Sequence, residues 1–264
     1  MTIDAAHIDV EFTADGMLSG GDMSFGAEFR SDWLIGRSEW RDRIEAKKAA
    51  GGGLEQYNLK INDQNPESSC VCNAAETCFR TVWTRQLGVE HSIDFSPMSL
   101  YTRICSSRHS GSWMPDALAE LEDNGILPED TPANRARFKH VVHQNTPFIR
   151  ERDLPDGWKQ TAKHFRVIKG EWYRLPDDNE AFASALLSDM PICYGRSGHS
   201  IAALTLVYSD GRFLAKYAQS YGTDVGDNGY QYDSERNWNT DGAWCLRAVT
   251  MPSDVSKPAG GDQL

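Results

Sequence analysis

Cys70 stands in the stretch "NDQNPESSCVCNAAETCF" (62–79), six residues after Gln64 and directly behind two serines. An apolar-periodic segment begins at that cysteine, which puts its thiol at the start of a helix. A thiol attacks as the thiolate, and the thiolate is favoured at a helix N-terminus and beside a protonated histidine. The base has to come from elsewhere in the chain. His199, in "RSGHSIAAL", stands at the start of a strand-like run after a flexible Ser-Gly. Gln219, in "KYAQSYG", offers a polar group that could orient the second ring nitrogen of His199. A lone cysteine is more often a core residue than a nucleophile. Zinc is not expected, because Cys70 and Cys72 do not form a CxxC and no second ligand pair follows.

Helices and strands must position these residues. Val71, Ala74, Ala75, Cys78, Phe79, Val82, Trp83 and Leu87 recur with helical spacing, which predicts a helix of about 17 residues with one apolar face, stopped by Gly88. Cys78 falls on that face as a core residue. Ser96 as N-cap and Pro97 at the first helical position open a second helix. "WMPDALAELEDNGILPED" predicts a third, with Leu118 and Leu121 inside and Gly125 as its stop. After about residue 165 the texture changes. "HFRVIKGEWYRL", "MPICYG", "HSIAALTLVYS" and "RFLAKYAQS" read as strands around one short helix in "DNEAFASALLSD". Asp210-Gly211 marks a hairpin turn and "GDNGYQYD" another. The expected class is α+β, a helical lobe at about 56–150 followed by an antiparallel sheet lobe at about 151–250. Residues 1–55 are an extension with one charged helix in "SEWRDRIEAKKAAGGG", to be read as pro-segment, docking arm or simple extension; 251–264 read as a flexible tail.

The net charge of -11 argues against nucleic acid as a partner, since phosphate binding needs a basic face. "MTIDAAHIDVEF" has no basic start and no apolar run, so no signal peptide is expected, nor any membrane partner. The expected location is cytoplasmic, or a virion if the chain is phage-encoded. Most or all of the six cysteines are expected to be reduced. Cys72, Cys193 and Cys245 read as packing residues. His140 and His143 in "KHVVHQ", one helical turn apart, read as a solvated face rather than a metal site.

Five motifs in order resemble the papain family of cysteine peptidases, in the divergent forms of bacteria and bacteriophages. "DQNPESSCVCNA" is similar to that family's DQGxxGSCxxxA, "FSPMSLY" to LSpqfLY, and "SGSWMPDALAELEDNGILPE" to NGGxxxxALxxLxxxGixPE. "SGHSIAAL" is similar to GHAVxxVG, and "AQSYGTDVGDNGYQY" to NSWGxxWGxxGYxxI. The 129 residues from Cys70 to His199 and the 149 to Gln219 match a spacing already known for that family. The resemblance implies a two-lobe papain-like fold with the active-site cleft between the lobes, and no cofactor. It implies Cys70 as nucleophile, His199 as base, Gln64 as oxyanion-hole donor and Gln219 in the usual asparagine place. Gly111, Ser112, Met114, Gly198 and Tyr221 would line the substrate site, with Gly111 pairing the backbone of a polypeptide substrate. Several positions depart from the family pattern. Gln219 is one methylene longer than asparagine, Tyr221 replaces a tryptophan, Val71 follows the nucleophile in place of another, and Ser112 replaces a glycine. Glu67 stands where a disulfide cysteine is usual, with His109 near the place of its partner, which implies another way of bracing the loop. Two functions follow: a cysteine peptidase, or a papain-fold structural or assembly protein whose arm engages a partner chain.

Overall fold

The computed structural model describes residues 3–11, 16–18, 23–143, 149–238 and 241–251. Among the described residues the seven α-helices are α1 (Arg37–Ala49), α2 (Cys70–Leu87), α3 (Pro97–Ile104), α4 (Met114–Asp123), α5 (Pro132–Arg135), α6 (Trp158–Ala162) and α7 (Asn179–Leu187). Seven strands are β1 (Ala27–Glu28), β2 (Trp172–Arg174), β3 (Ile192–Arg196), β4 (His199–Ser209), β5 (Arg212–Ala218), β6 (Tyr230–Ser234) and β7 (Ala243–Leu246). They form one sheet in the order β1-β2-β7-β3-β4-β5-β6, antiparallel except where β1 lies parallel to β2. This is the two-lobe α+β arrangement that the sequence predicts.

The core has two parts. One gathers the aromatic rings of Phe79, Trp83, Phe95, Phe138 and Phe165 around α2. The other packs α1 and α7 onto the sheet through Trp40, Phe182, Tyr194 and Trp238. The helix α2 lies against β4 and is buried from Cys70 to Thr84 without a solvent face. The expectation of a single apolar face is therefore corrected: Asn73, Glu76, Thr77, Arg80 and Thr81 are also inside, because α2 is enclosed by other elements on all sides. Their polar atoms need partners there, and these partners form part of the site.

The helix starts and stops are largely as expected. Gly88 closes α2 at φ 95, and Pro97 opens α3. Ser96 precedes α3, but its hydroxyl donates to the His143 carbonyl at 3.1 Å instead of capping the helix. The hairpin turn Asp210-Gly211 has φ 50 and 79, both positive as a type I′ turn requires. "HFRVIKGEWYRL" yields only the short β2 and a single bridge from Val167 to Val249. The pattern gave no warning of β1 or β7. His140 is not on a solvated face: it is buried and its Nδ1 meets the Thr161 hydroxyl at 2.8 Å, in a stretch that is not helical.

The described parts of the first 55 residues are woven into the body. Ile8 bridges Tyr232, β1 extends the sheet, and Trp40 and Ile44 of α1 are buried against the sheet lobe. No helix among the described residues is long and apolar enough to cross a membrane. The tail beyond Met251 lies outside the described residues.

Candidate active site

The site is built from two helix and strand starts and one turn. Cys70 is the first residue of α2 and is fully buried. Ser69 occupies the N-cap position without a side-chain bond to the first turn, so no cap competes for the N–H groups there. Asn73 donates back to the Ser69 carbonyl and hydroxyl, each at 3.0 Å, and fixes the entry to the helix.

His199 is the first residue of β4. Arg196 and His199 face each other across the β3–β4 ladder, so Ser197 and Gly198 form a two-residue turn, with φ 52 and 78. This turn is a defined hairpin rather than the flexible Ser-Gly of the sequence reading. It fixes where the imidazole leaves the sheet. The ring is buried, and the ring of Tyr221 stacks on it at 5.2 Å and 9°. Burial first, and then the nearby positive charge of Arg196, lower the His199 pKa to about 3. The imidazole is neutral at ordinary pH.

Gln64 and the 219–222 turn are tied together. The Gln64 backbone N–H donates to the Ser220 carbonyl at 2.8 Å, and the Gly222 N–H donates to the Asn62 carbonyl at 2.9 Å. The Ser220 hydroxyl donates to Gln64 Oε1, which orients the side-chain amide, while Nε2 donates to the Glu67 carbonyl at 3.1 Å. Gln64, Ser220, Tyr221 and His199 are thus connected in one run of contacts. Gln219 is placed differently from the sequence expectation. Its Nε2 donates to the Gly222 carbonyl at 2.9 Å and its Oε1 accepts from the Tyr221 N–H, so its amide braces its own turn and not the imidazole.

The loop before Cys70 is braced by charge. Glu67 is buried and pairs with Arg108 at 3.1 Å, and the Ser68 N–H donates to the Arg108 carbonyl at 3.1 Å. An ion pair therefore ties the two loops that the resemblance would tie by a disulfide, one residue away from His109. All six cysteines are free thiols. Sequence reasoning missed Arg108, although a carboxylate in place of a cysteine was a signal to look for a cation.

A segment of the N-terminal arm is bonded to Ser112, next to Gly111, and to Gly198. The Ser112 N–H donates to the Gly16 carbonyl at 2.7 Å, the Leu18 N–H to the Ser112 carbonyl at 3.0 Å, and the Met17 N–H to the Gly198 carbonyl at 2.9 Å. Gly16 also lies against Ser68, where a Cβ on the glycine would come within 2.7 Å. One three-residue segment thus touches Ser68 and Ser112 on one side and the residue before His199 on the other. The loop before α2 and the turn before β4 thus meet the same segment. Met114, expected to line the substrate site, is fully buried at the start of α4.

The architecture is the two-lobe fold of papain-like cysteine proteases. Xylellain, a cysteine protease from Xylella fastidiosa, superposes with a TM-score of 0.64 at 16% identity over 90% of this chain and 96% of that one. The procathepsin B S9 of Trypanosoma congolense gives 0.60 at 12% identity, over 89% and 86%. Bromelain from Ananas comosus, in complex with the E64 inhibitor, gives 0.53 at 14%, over 81% and 97%. The chain matches no protein-family model and no curated protein by sequence.

Proposed function

We propose that the chain is a thiol peptidase of the papain type, with Cys70 as nucleophile and His199 as its proton partner. What supports this reading is that one segment, Gly16–Leu18, is bonded to Gly198, next to His199, and lies against Ser68, two residues before Cys70, while the Gln64 amide is held by Ser220, next to the Tyr221 ring that stacks on His199. The uncapped start of α2 favours negative charge on Cys70. In the reaction His199 takes the thiol proton and the Cys70 sulfur adds to a peptide carbonyl. The oxyanion is held by the Gln64 amide and the backbone at Cys70. Collapse expels the amine, which takes the proton from His199 and leaves a thioester. Water then attacks the thioester with His199 as base, releasing the acid and restoring the thiol.

The substrate is a polypeptide bound extended along Gly111–Ser112 and Gly198, whose backbone groups suit β-strand addition. The assembly reading gains less support. The described parts of the arm engage this chain's own body, at Tyr232, Ser112, Gly198 and β2.

The test is alkylation of Cys70 as a function of pH in the wild type, Cys70→Ala and His199→Ala, with turnover of a quenched fluorescent casein alongside. The reading requires casein cleavage that vanishes in Cys70→Ala and falls by about 10³-fold or more in His199→Ala. A protein that never cleaves casein and whose Cys70 reacts as an ordinary thiol with an apparent pKa of about 8.5 would sink it.

A further inference from the structure

The Gln64 amide, which the peptidase reading places at the oxyanion, is gripped from both sides. Its Oε1 accepts from the Ser220 hydroxyl in the 219–222 turn. Its Nε2 donates to the Glu67 carbonyl at 3.1 Å, and the Glu67 N–H donates to the Gln64 carbonyl at 2.7 Å. Residues 64 and 67 thus exchange two bonds and close one turn. An amide nitrogen is planar, so the hydrogen given to Glu67 sets the direction of the other. The aim of the Gln64 donor therefore depends on where Glu67 is held.

Glu67 is held by Arg108. The Glu67 side chain is buried, and a carboxylate taken out of water needs a counter-ion. One of its oxygens meets the Arg108 guanidinium at 3.1 Å, and the other has no hydrogen-bond partner among the described residues. Arg108 is itself a fixed post. Its carbonyl accepts from the hydroxyl of Tyr101, a fully buried residue of α3, at 3.0 Å, and from the Ser68 N–H at 3.1 Å. A run of contacts thus leads from α3 through Arg108 and Glu67 to the Gln64 amide. An ion pair forms without an oxidant, so this brace is compatible with six free thiols.

We propose that Arg108 is a positioning residue: through Glu67 it aims the Gln64 amide at the oxyanion. This rests on the peptidase reading for the role of Gln64, but the aim of the amide is a property of the folded chain and can be measured without turnover. Removing the guanidinium leaves the Glu67 carboxylate inside without its counter-ion. Glu67 then turns out towards water, and the turn that carries the Gln64 amide opens. A lysine at 108 keeps the charge but not the planar fork, so it restores the aim in part.

The experiment uses the full chain as wild type, Arg108→Ala, Arg108→Lys, Glu67→Gln and Gln64→Ala. The Gln64 side-chain amide is followed by its proton–nitrogen NMR signals, assigned by their loss in Gln64→Ala. Iodoacetamide labelling of Cys70 and casein turnover are measured alongside. In Arg108→Ala the Gln64 signals are expected to move. There kcat should fall about tenfold or more with KM changed by less than about threefold, since an oxyanion donor is worth about 10²–10³ in kcat. Arg108→Lys is expected to bring back signals and rate in part. Glu67→Gln leaves no unpaired carboxylate inside and guards against an unfolded Arg108→Ala; it should move the signals in the same direction. Alkylation displaces iodide at carbon and forms no oxyanion, so the Cys70 labelling rate should stay within about twofold in every variant. Gln64 signals that stay in place in Arg108→Ala and Glu67→Gln overturn the proposal. A Cys70 labelling rate that changes as much as kcat also overturns it, because Arg108 would then merely hold the loop. Signals that move while no protein, wild type included, cleaves casein uphold the positioning and count against the peptidase.

Discussion

Two buried arginine–carboxylate pairs stand behind the two halves of the site, and they do different work. Behind the nucleophile, Arg80 and Glu76 are one turn apart on α2 and meet at 2.7 Å, both fully buried. Arg80 also donates to the Lys60 carbonyl at 2.8 Å, and Glu76 accepts from the Asn62 amide at 2.7 Å. Behind the histidine, Arg196 of β3 pairs with Asp233 of β6, and Asp233 accepts the Tyr194 hydroxyl at 2.7 Å. The first pair lies on one rigid helix and its spare bonds fasten the backbone that leads to Gln64. The second joins two strands that are not neighbours in the sheet, and its arginine lowers the His199 pKa. The same chemistry acts mechanically in one place and electrostatically in the other.

The comparison breaks hardest at Arg80. Arg80→Met leaves Glu76 charged, buried and without its counter-ion, and frees the Lys60 carbonyl as well. The expected loss is about 3–5 kcal/mol in the free energy of unfolding by urea. A loss below about 1 kcal/mol would mean that water enters the site and that the pair is no brace.

The histidine side gives the next effect, through pH. The folded His199 pKa lies near 3, below the ordinary 6.5, because burial disfavours the imidazolium and Arg196 adds to that. The unfolded chain therefore takes up a proton that the folded chain refuses. Stability contributed by the neutral ring is whole above pH 6.5 and falls as pH drops from 6.5 towards 3. At pH 5 the loss is about 2 kcal/mol relative to pH 7. His199→Gln should remove this acid limb. A wild-type profile that is flat between pH 7 and 5 would contradict the burial of the ring.

Asp233 sharpens the contrast with Glu76. Burial raises its pKa to about 7, against the opposing pull of Arg196 and of the Tyr194 hydroxyl. A raised carboxyl pKa works in the opposite sense: folding is favoured while the group is protonated, and that contribution declines as pH rises from about 4 to about 7. A neutral group is thus tolerated at this position. Asp233→Asn is expected to cost about 1–2 kcal/mol at pH 7, less than Arg80→Met, because the amide keeps an acceptor for its neighbours. If the two cost the same, both pairs are simple charge pairs and the distinction fails.

Much of this could be read in the sequence, and the rest could not for physical reasons. Helical spacing and Gly88 gave α2 within a residue, and Asp210-Gly211 gave its hairpin, since both depend on neighbours in the chain. The start of the site was legible for the same reason: Cys70 opens a periodic segment and His199 follows Ser-Gly. The inner pairs were not, because Arg80, Glu76 and Asp233 are polar residues that periodicity assigns to a surface. Only enclosure by distant elements buries them. The path of the arm segment was invisible because Gly16, Met17 and Leu18 carry no pattern; their place is set by backbone bonds to Ser112 and Gly198, some 95 and 180 residues away.

Gln219 is the finest test of how the two halves differ. Reading by resemblance makes it the orienter of the imidazole, and loss of an orienter can cost a large part of a histidine's catalytic effect. In the structure its amide is committed to Gly222 and Tyr221, and the contact on the ring is the stacked Tyr221. Gln219 then acts on His199 only through the turn that carries Tyr221. Gln219→Ala should lower kcat/KM by less than about threefold, whereas Tyr221→Ala should lower it by about three- to tenfold, in line with a stacking contact of roughly 0.5–1.5 kcal/mol. The pH dependence of kcat/KM should move in Tyr221→Ala, which exposes the ring to water, and stay in place in Gln219→Ala. A loss of 100-fold in Gln219→Ala would show that the amide turns to the imidazole in the working protein, and would return to it the role that its motif implies.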